Sequence, residues 1–131
     1  MAQPPHHPLL QVEQVGDVTV VRFTRRTILE PAAVEAIGQQ LLALVRNEGR
    51  RKIVLNFDHV ESVVSAMLGK FVALFREAEA AGGRLAFCKV DPFLLHIFKI
   101  GKLPQLIPVY GEEREALAKV AGPSEDDKVK G

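Results

Sequence analysis

The sequence has few of the residues that mark several specialised classes of protein. Its 131 residues include one cysteine, one tyrosine and no tryptophan. A single cysteine, Cys88, excludes an internal disulfide framework and suits a reducing compartment. The formal net charge is +1, from 17 basic and 16 acidic residues. This balance gives no general electrostatic reason to expect nucleic acid or an anionic membrane as a partner.

Long apolar runs are also missing. None approaches the ~18 residues of a membrane span, and the first residues lack the charged-then-apolar layout of a signal peptide. With 47% hydrophobic and 25% charged residues, the composition is that of a folded domain with one core. We therefore expect one cytoplasmic domain over residues 9–121, with disordered ends at residues 1–8 and 122–131.

Signatures of catalysis and of cofactor binding are missing as well. Gly82 and Gly83 lie between a predicted helix and a predicted strand, the reverse of the order in a phosphate-binding loop. Ser65 lacks the flanking glycines of a nucleophile elbow. The pair His6 and His7 has no further ligand at metal-binding spacing. The sequence therefore predicts a protein without catalytic residues, metal or cofactor.

The stretch that organises the chain runs from Ile53 to Gly69. It begins with a nearly unbroken apolar run, rich in β-branched residues, which predicts a central strand covered on both faces. Polar residues then interrupt the run, and from Leu68 the apolar positions recur with helical spacing. Ser65 stands at this change. We predict that its hydroxyl caps the helix by accepting a hydrogen bond from a first-turn N–H group.

Breaks between short apolar segments predict the remaining elements. Gly16 and Asp17 separate two strand-like runs and predict a hairpin. Pro31 indicates one helix start, and Asp91 before Pro92 indicates another with the aspartate as its N-cap. The expected strands cover residues 9–15, 18–24, 53–57, 85–90 and 107–110, and the expected helices cover residues 31–47, 65–81, 92–100 and 112–120.

This alternation after a leading hairpin predicts an α/β domain. Its sheet should be mainly parallel, with an antiparallel N-terminal hairpin at one edge and about four helices. We interpret Arg25, Arg26 and Thr27 as a polar loop. The second helix is expected to bury one side through five apolar residues, Leu68, Phe71, Val72, Phe75 and Ala78.

The third predicted helix is apolar on almost every side. Between Phe93 and Ile100 only His96 and Lys99 interrupt the apolar residues. A short helix on the flank of a small domain cannot bury its whole circumference. We therefore expect some of these side chains to contact another protein.

Two stretches of the sequence resemble the STAS domain, a family found in bacterial anti-sigma factor antagonists and at the ends of sulfate transporters. The first contains the turn V-E-S-V-V-S-A-M-L-G into a helix and the passage A-A-G-G-R-L into the next strand. The second, D-P-F-L-L-H-I-F-K-I-G-K-L-P-Q-L-I-P-V-Y, is similar to the family's third helix, following turn and last strand. The resemblance covers roughly residues 9–121 and implies a STAS-like fold.

The resemblance also indicates a modification site. In that family the loop before the second helix commonly reads D-S-S-G-L-G, and its first serine is phosphorylated by a partner kinase that is also the anti-sigma factor. This sequence reads V-S-A-M-L-G over residues 64–69, so Ser65 matches the phosphorylated serine. Ala66 and Met67 replace the second serine and the first glycine. Val64 replaces the aspartate.

A regulatory binding protein is the function that the resemblance implies. Phosphorylation of Ser65 would control its exchange between partners, which are an anti-sigma factor or serine kinase and a serine phosphatase. The alternative is that Ser65 only caps the helix. Ser62 lies in the same loop and could compete as the modified residue. The expected partner-binding residues are Ser62, Val63, Val64, Met67 and Lys70, with Phe93, Leu95 and His96 on the neighbouring helix.

Two further hypotheses keep the fold without the phosphorylation switch. One is a scaffold subunit that assembles with itself or with related STAS domains through its apolar third helix. The other is a domain that binds a nucleotide or a lipid near the carboxyl end of the central strand, where open α/β sheets bind ligands. The sequence offers few convergent polar groups for such a ligand.

Overall fold

Strands and helices alternate along the chain after an opening hairpin. The computed structural model describes residues 8–122, so the ends predicted at residues 1–8 and 122–131 lie outside the described residues except for Pro8 and Gly122. The strands are β1 (Leu10–Val15), β2 (Val18–Phe23), β3 (Thr27–Ile28), β4 (Lys52–Asn56), β5 (Ser62–Val63), β6 (Arg84–Cys88) and β7 (Val109–Tyr110). The helices are α1 (Pro31–Arg46), α2 (Ser65–Ala80), α3 (Pro92–Ile100) and α4 (Glu113–Ala121), with a 3₁₀ turn at Leu103–Gln105.

Five strands form the main sheet in the order β1-β2-β4-β6-β7. Only β1 and β2 are antiparallel, and the other neighbours pair in parallel. The apolar run predicted as a central strand is β4, and its Ile53, Val54 and Leu55 are fully buried. The predicted fold class is therefore confirmed, including the antiparallel hairpin.

Helices cover the two faces of this sheet unequally. The larger apolar cluster lies between the sheet and helices α1, α2 and α3, and the smaller lies beneath α4. Phenylalanine rings fill the larger cluster: Phe57 lies 4.9–5.5 Å, centroid to centroid, from four other rings. These rings belong to Phe23, Phe71, Phe87 and Phe98.

A second, two-stranded sheet joins β3 to β5 in parallel. Thr27 pairs with Ser62, and Ile28 pairs with Val63. The prediction of a polar loop at Arg25–Thr27 is therefore wrong at Thr27. A strand of only two residues is too short to show an alternating pattern in the sequence, and its partner strand lies far along the chain.

Two predicted helix caps have different outcomes. The Asp91 cap of α3 is confirmed, because Asp91 Oδ2 accepts a hydrogen bond of 2.9 Å from the N–H of Phe93. The Ser65 cap of α2 is wrong. Val64 occupies the N-cap position with extended backbone (φ −78°, ψ 157°), Ser65 is the first helical residue, and no side chain caps this helix.

The buried face of α2 also differs from the prediction. Its fully buried residues are Met67, Phe71, Leu74 and Ala78, whereas Leu68, Val72 and Phe75 are only partly buried. Helix α1 packs beside α2, with ion pairs from Lys70 to Glu35 (2.8 Å) and from Arg46 to Glu77 (3.0 Å). Because α1 covers this flank, the buried face lies nearer Met67 and Leu74 than the sequence pattern indicated.

Candidate functional site

Ser65 lies at the start of α2, directly after a segment that is hydrogen-bonded on both sides. The N–H of Val64 donates to the carbonyl of Ile28 (3.0 Å), and the N–H of Met67 donates to the carbonyl of Val64 (2.9 Å). These bonds fix the backbone on either side of Ser65, whose side chain is exposed. Its hydroxyl is therefore held at a defined place on the surface.

The electrostatic environment of Ser65 is that of a helix N-terminus. The first N–H groups of an α-helix have no acceptor within the helix, and the aligned peptide dipoles make this end positive. No side chain caps α2, and its first turn contains no acidic residue. The positive end of this 16-residue helix is consequently not neutralised by a carboxylate of its own.

Lys70 is the nearest basic residue along α2, and α1 holds it in place. Its Nζ lies 2.8 Å from Glu35 Oε2. Its side chain lies across Gly38, where an added Cβ would approach Lys70 Cδ to 2.7 Å. Lys70 therefore lies at the boundary between α1 and α2 and is already paired.

The structure places the other predicted partner-binding residues at three levels of exposure. Phe93 and His96 are exposed on α3. Ser62, Val64 and Leu95 are half-buried. Met67 and Val63 are buried in the core. We remove Met67 and Val63 from the surface that we propose, because a partner could not reach them without unpacking the core.

Two exposed apolar side chains near these residues are not among the predicted partner-binding residues. Leu29 is 45% exposed and directly follows Ile28, which hydrogen-bonds to Val64. Ile100 is 67% exposed at the end of α3. Leu29 falls outside the helical pattern of α1, and this was an available signal. Ile100 could not be separated from the buried residues of an almost wholly apolar segment.

Helices α2 and α3 meet close to Ser65. Leu68, one turn along α2, packs against Gly101, the residue that follows Ile100. A Cβ added to Gly101 would lie 2.7 Å from Leu68 Cδ2. The residue that follows α3 therefore contacts α2 one turn after Ser65, whereas Phe93 lies at the other end of α3.

A cleft of about 410 Å³ lies at the carboxyl ends of β4 and β6. It contains basic Arg26 and Lys89, which lie 3.7 Å from Glu61 and 3.8 Å from Glu112 respectively. Asp91 caps α3 from the same region. The cleft is the place expected for a nucleotide or lipid, but acidic residues accompany its basic groups, so its charge does not favour an anionic ligand.

Cys88 has the properties of a core residue. Burial raises the pKa of its thiol to about 12, so the thiol is neutral and unreactive near neutral pH. Residues 8–122 contain no group of three or more His, Cys, Asp or Glu side chains arranged to hold a metal ion. No helix in the same range is long and apolar enough to cross a membrane.

Comparisons with known proteins agree on one family. Residues 10–116 match the model of the STAS domain. A protein of Thermotoga neapolitana that carries the provisional name of anti-sigma factor antagonist is 30% identical over 76 residues, which are 58% of this chain and 67% of that protein. An anti-sigma factor antagonist (STAS) domain protein from Planctomyces limnophilus has the same fold, with a TM-score of 0.78 at 24% identity, over 86% of this chain and 98% of that chain.

The anti-sigma factor antagonist SpoIIAA is also similar. Its unphosphorylated form has a TM-score of 0.66 at 25% identity, over 87% of this chain and 99% of that chain. The structure of a phosphorylated form, from Bacillus, is known as well. The family match spans most of the described chain, and the order of strands and helices agrees with it. This chain belongs to the STAS domain family.

Proposed function

We propose that this protein is a regulatory binding module of the anti-sigma factor antagonist type, and that phosphorylation of Ser65 controls its exchange between partners. The observation that carries the proposal is an exposed serine hydroxyl at the uncapped start of α2. The competing interpretation of Ser65 as a structural cap has no support, because the cap position belongs to Val64. The similarity to SpoIIAA supports the same function.

The fold should tolerate a phosphate at this position. A phosphoserine adds about −1.5 to −2 charges at neutral pH. At the first position of α2 this charge meets the positive end of the helix dipole and N–H groups without helical partners. Val64 contributes no carboxylate beside it, whereas the family's aspartate would add a second negative charge. The modified domain is therefore expected to keep its structure.

The phosphate would lower the affinity for a partner. A dianion inside a contact surface must lose its hydration or face the partner's acidic groups. A penalty of about 3–4 kcal/mol would weaken binding by two to three orders of magnitude. Phosphorylation would thus release one partner, and a phosphatase would restore binding. The protein is a substrate of enzymes in this account and acts in the cytoplasm by binding.

The proposed contact surface surrounds Ser65 and is named here the switch surface. It combines exposed or half-buried residues in or directly after strands β3 and β5 with residues at the start of α2. Its members are Leu29, Ser62, Val64, Ser65 and Lys70. Phe93, Leu95, His96 and Ile100 on α3 are the second candidate contact region.

The proposal is tested by affinity capture from the cells in which the protein is native, with three variants compared. Ser65→Ala keeps the surface neutral, and Ser65→Asp adds a negative charge at the same site. Gln40→Glu is the matched control, because it adds the same charge at an exposed position of α1 outside the switch surface, and we expect it to retain the partner. We expect Ser65→Ala to capture a kinase-type partner. The amount of this partner captured by Ser65→Asp should be at least ~10-fold lower. Equal capture by both Ser65 variants, with unchanged thermal melting, would contradict the switch.

The exposed apolar residues of α3 support a second candidate function, a scaffold subunit that is not phosphorylated. Phe93 and Ile100 are 63% and 67% exposed, so α3 presents two large apolar side chains to solvent that a second protein could cover. Incubation with the captured kinase and ATP, followed by mass measurement, separates the two candidates. A scaffold need not gain a phosphate, whereas the switch requires one on Ser65.

A further inference from the structure

Strand β1 forms an open edge of the main sheet. Among residues 8–122 it pairs with β2 alone, and its residues Gln11–Val15 are all exposed. The strand is six residues long without proline. The opposite edge strand, β7, has only two residues. Natural proteins usually block long sheet edges with proline, bulges or several charges, because an unpaired edge accepts another strand.

Hydrogen bonds within the hairpin show which backbone groups of β1 are unpaired. The N–H of Thr24 donates to the carbonyl of Leu9 (3.1 Å), so this opposed pair is a hydrogen-bonded one. Such pairs alternate along an antiparallel ladder, and the register continues through Gln11 with Arg22 and Glu13 with Val20. Leu10, Val12 and Gln14 therefore direct their N–H and C=O groups towards the open edge.

The terminal segments of this sequence have compositions that are unsuitable for pairing with β1 as a further strand. Residues 1–8 include Pro4, Pro5 and Pro8, which have no N–H to donate to a ladder. The other end leaves α4 near β4, two strands away, where the carbonyl of Ala121 lies 3.5 Å from Lys52 Nζ. Residues 123–131, P-S-E-D-D-K-V-K-G, contain one β-branched residue among charged and small ones, a composition that disfavours a strand.

We infer that β1 binds β1 of a second copy of this chain, in antiparallel orientation about a two-fold axis at Val12. In this register Val12 exchanges two hydrogen bonds with its own equivalent. Leu10 does the same with the partner's Gln14, and Gln14 with the partner's Leu10. All outward N–H and C=O groups are then paired, and the two five-stranded sheets become one continuous sheet of ten.

Side chains of β1 suit this register. Val12, 45% exposed in the single chain, packs against its equivalent across the axis. Glu13, the only charged residue of β1, faces the partner's Gln11 rather than the partner's Glu13. Its carboxylate is already bound by Arg22 Nη1 at 2.6 Å. The pairing therefore opposes no like charges directly.

Engineered cysteines test the register. A hydrogen-bonded antiparallel pair has a Cα–Cα distance of about 5.5 Å, which a disulfide can span. Val12→Cys should therefore yield disulfide-linked dimers under mild oxidation. Val15→Cys is the matched control, because Val15 is also exposed but would lie roughly 20 Å from its equivalent. The native Cys88 is buried and does not interfere. We expect at least ~10-fold more linked dimer for Val12→Cys; equal linking would overturn the inference.

Light scattering of the full chain tests the dimer without engineered cysteines. The mass of the wild type should rise from the 14.4 kDa of one chain towards twice that value as the concentration is raised from about 1 μM to about 1 mM, with a midpoint of roughly 1–100 μM. Val12→Pro removes an outward N–H and should give the monomer mass, whereas Val12→Thr keeps it and should give the dimer. A monomeric wild type, or a Val12→Pro form with circular dichroism and dimerisation like the wild type, would overturn the inference. If Val12→Pro fails to fold, the comparison of Val12→Cys with Val15→Cys tests the dimer instead. None of these results depends on Ser65.

Discussion

At the residue scale, Val64 decides how the candidate site is built. Its backbone is held extended by the hydrogen bond to Ile28, so Val64 takes the N-cap position and the helix begins at Ser65, one residue earlier than a Ser65 cap would require. Sequence reasoning placed the cap on Ser65 because serine is a common N-cap residue. The one-residue difference arises from the short β3–β5 sheet, which a local pattern cannot reveal. It leaves the serine hydroxyl available for modification.

Replacement of Val64 by threonine should stabilise the protein. Val64 has the extended backbone of an N-cap, but its side chain has no atom that could accept a hydrogen bond from the first turn. Threonine keeps the β-branched shape that packs against the core and adds the missing acceptor. We expect the free energy of unfolding, measured with urea, to rise by about 0.5–1 kcal/mol.

Val64→Ala is the control for this prediction, because it removes the packing methyl groups and adds no cap. It should lower the free energy of unfolding. A Val64→Thr form no more stable than Val64→Ala would show that the start of α2 has no unfilled capping position.

At the element scale, a small polar network attaches α4 to the sheet. Glu113 Oε1 accepts hydrogen bonds from Asn56 Nδ2 (2.7 Å) and from Arg22 Nη2 (2.6 Å). Asn56 is only 6% exposed, and its Oδ1 accepts a further bond from the N–H of Asp58. Glu113 therefore joins the first turn of α4 to β2 and β4, next to the turn that leads towards β5.

Removal of Glu113 should destabilise the protein because it leaves a buried amide without its acceptor. For Glu113→Ala we expect a loss of about 1–3 kcal/mol in the free energy of unfolding. Glu115→Ala is the matched control: it removes an exposed carboxylate from the same helical turn and should cost less than about 1 kcal/mol. Equal losses in the free energy of unfolding, measured by urea denaturation, would show that the hydrogen bonds of Glu113 add nothing to the interaction of an acidic side chain with the helix dipole.

Predictability also varied between elements. Asp91 and Pro92 predicted the start of α3 correctly, because both signals are local and the cap bond forms within the helix. The sequence pattern of α2 did not determine residue by residue which side chains are buried. Apolar residues cover more than half of that helix, and the position of α1 decides that Met67 and Leu74 are buried while Leu68 and Val72 stay partly exposed.

At the scale of the whole molecule, the fold class was predictable because β4 and β6 are continuous apolar runs and alternate along the chain with segments of helical spacing. Residues buried on both faces can occur only in the middle of a covered sheet. The contact surface was harder to predict. The members of the proposed switch surface lie directly after β3, in or directly after β5 and at the start of α2, and their exposure depends on pairings between distant segments. Leu29 beside Val64 is the clearest case.

The measurement that tests the central claim most directly is phosphosite mapping by mass spectrometry on the protein isolated from its native cells without phosphatase treatment. We predict phosphate on Ser65 in a fraction of the molecules that changes between growth and stress, with Ser62 unmodified. Ser65 free of phosphate under both conditions would contradict the account, and the unphosphorylated scaffold would then be the better description of this protein.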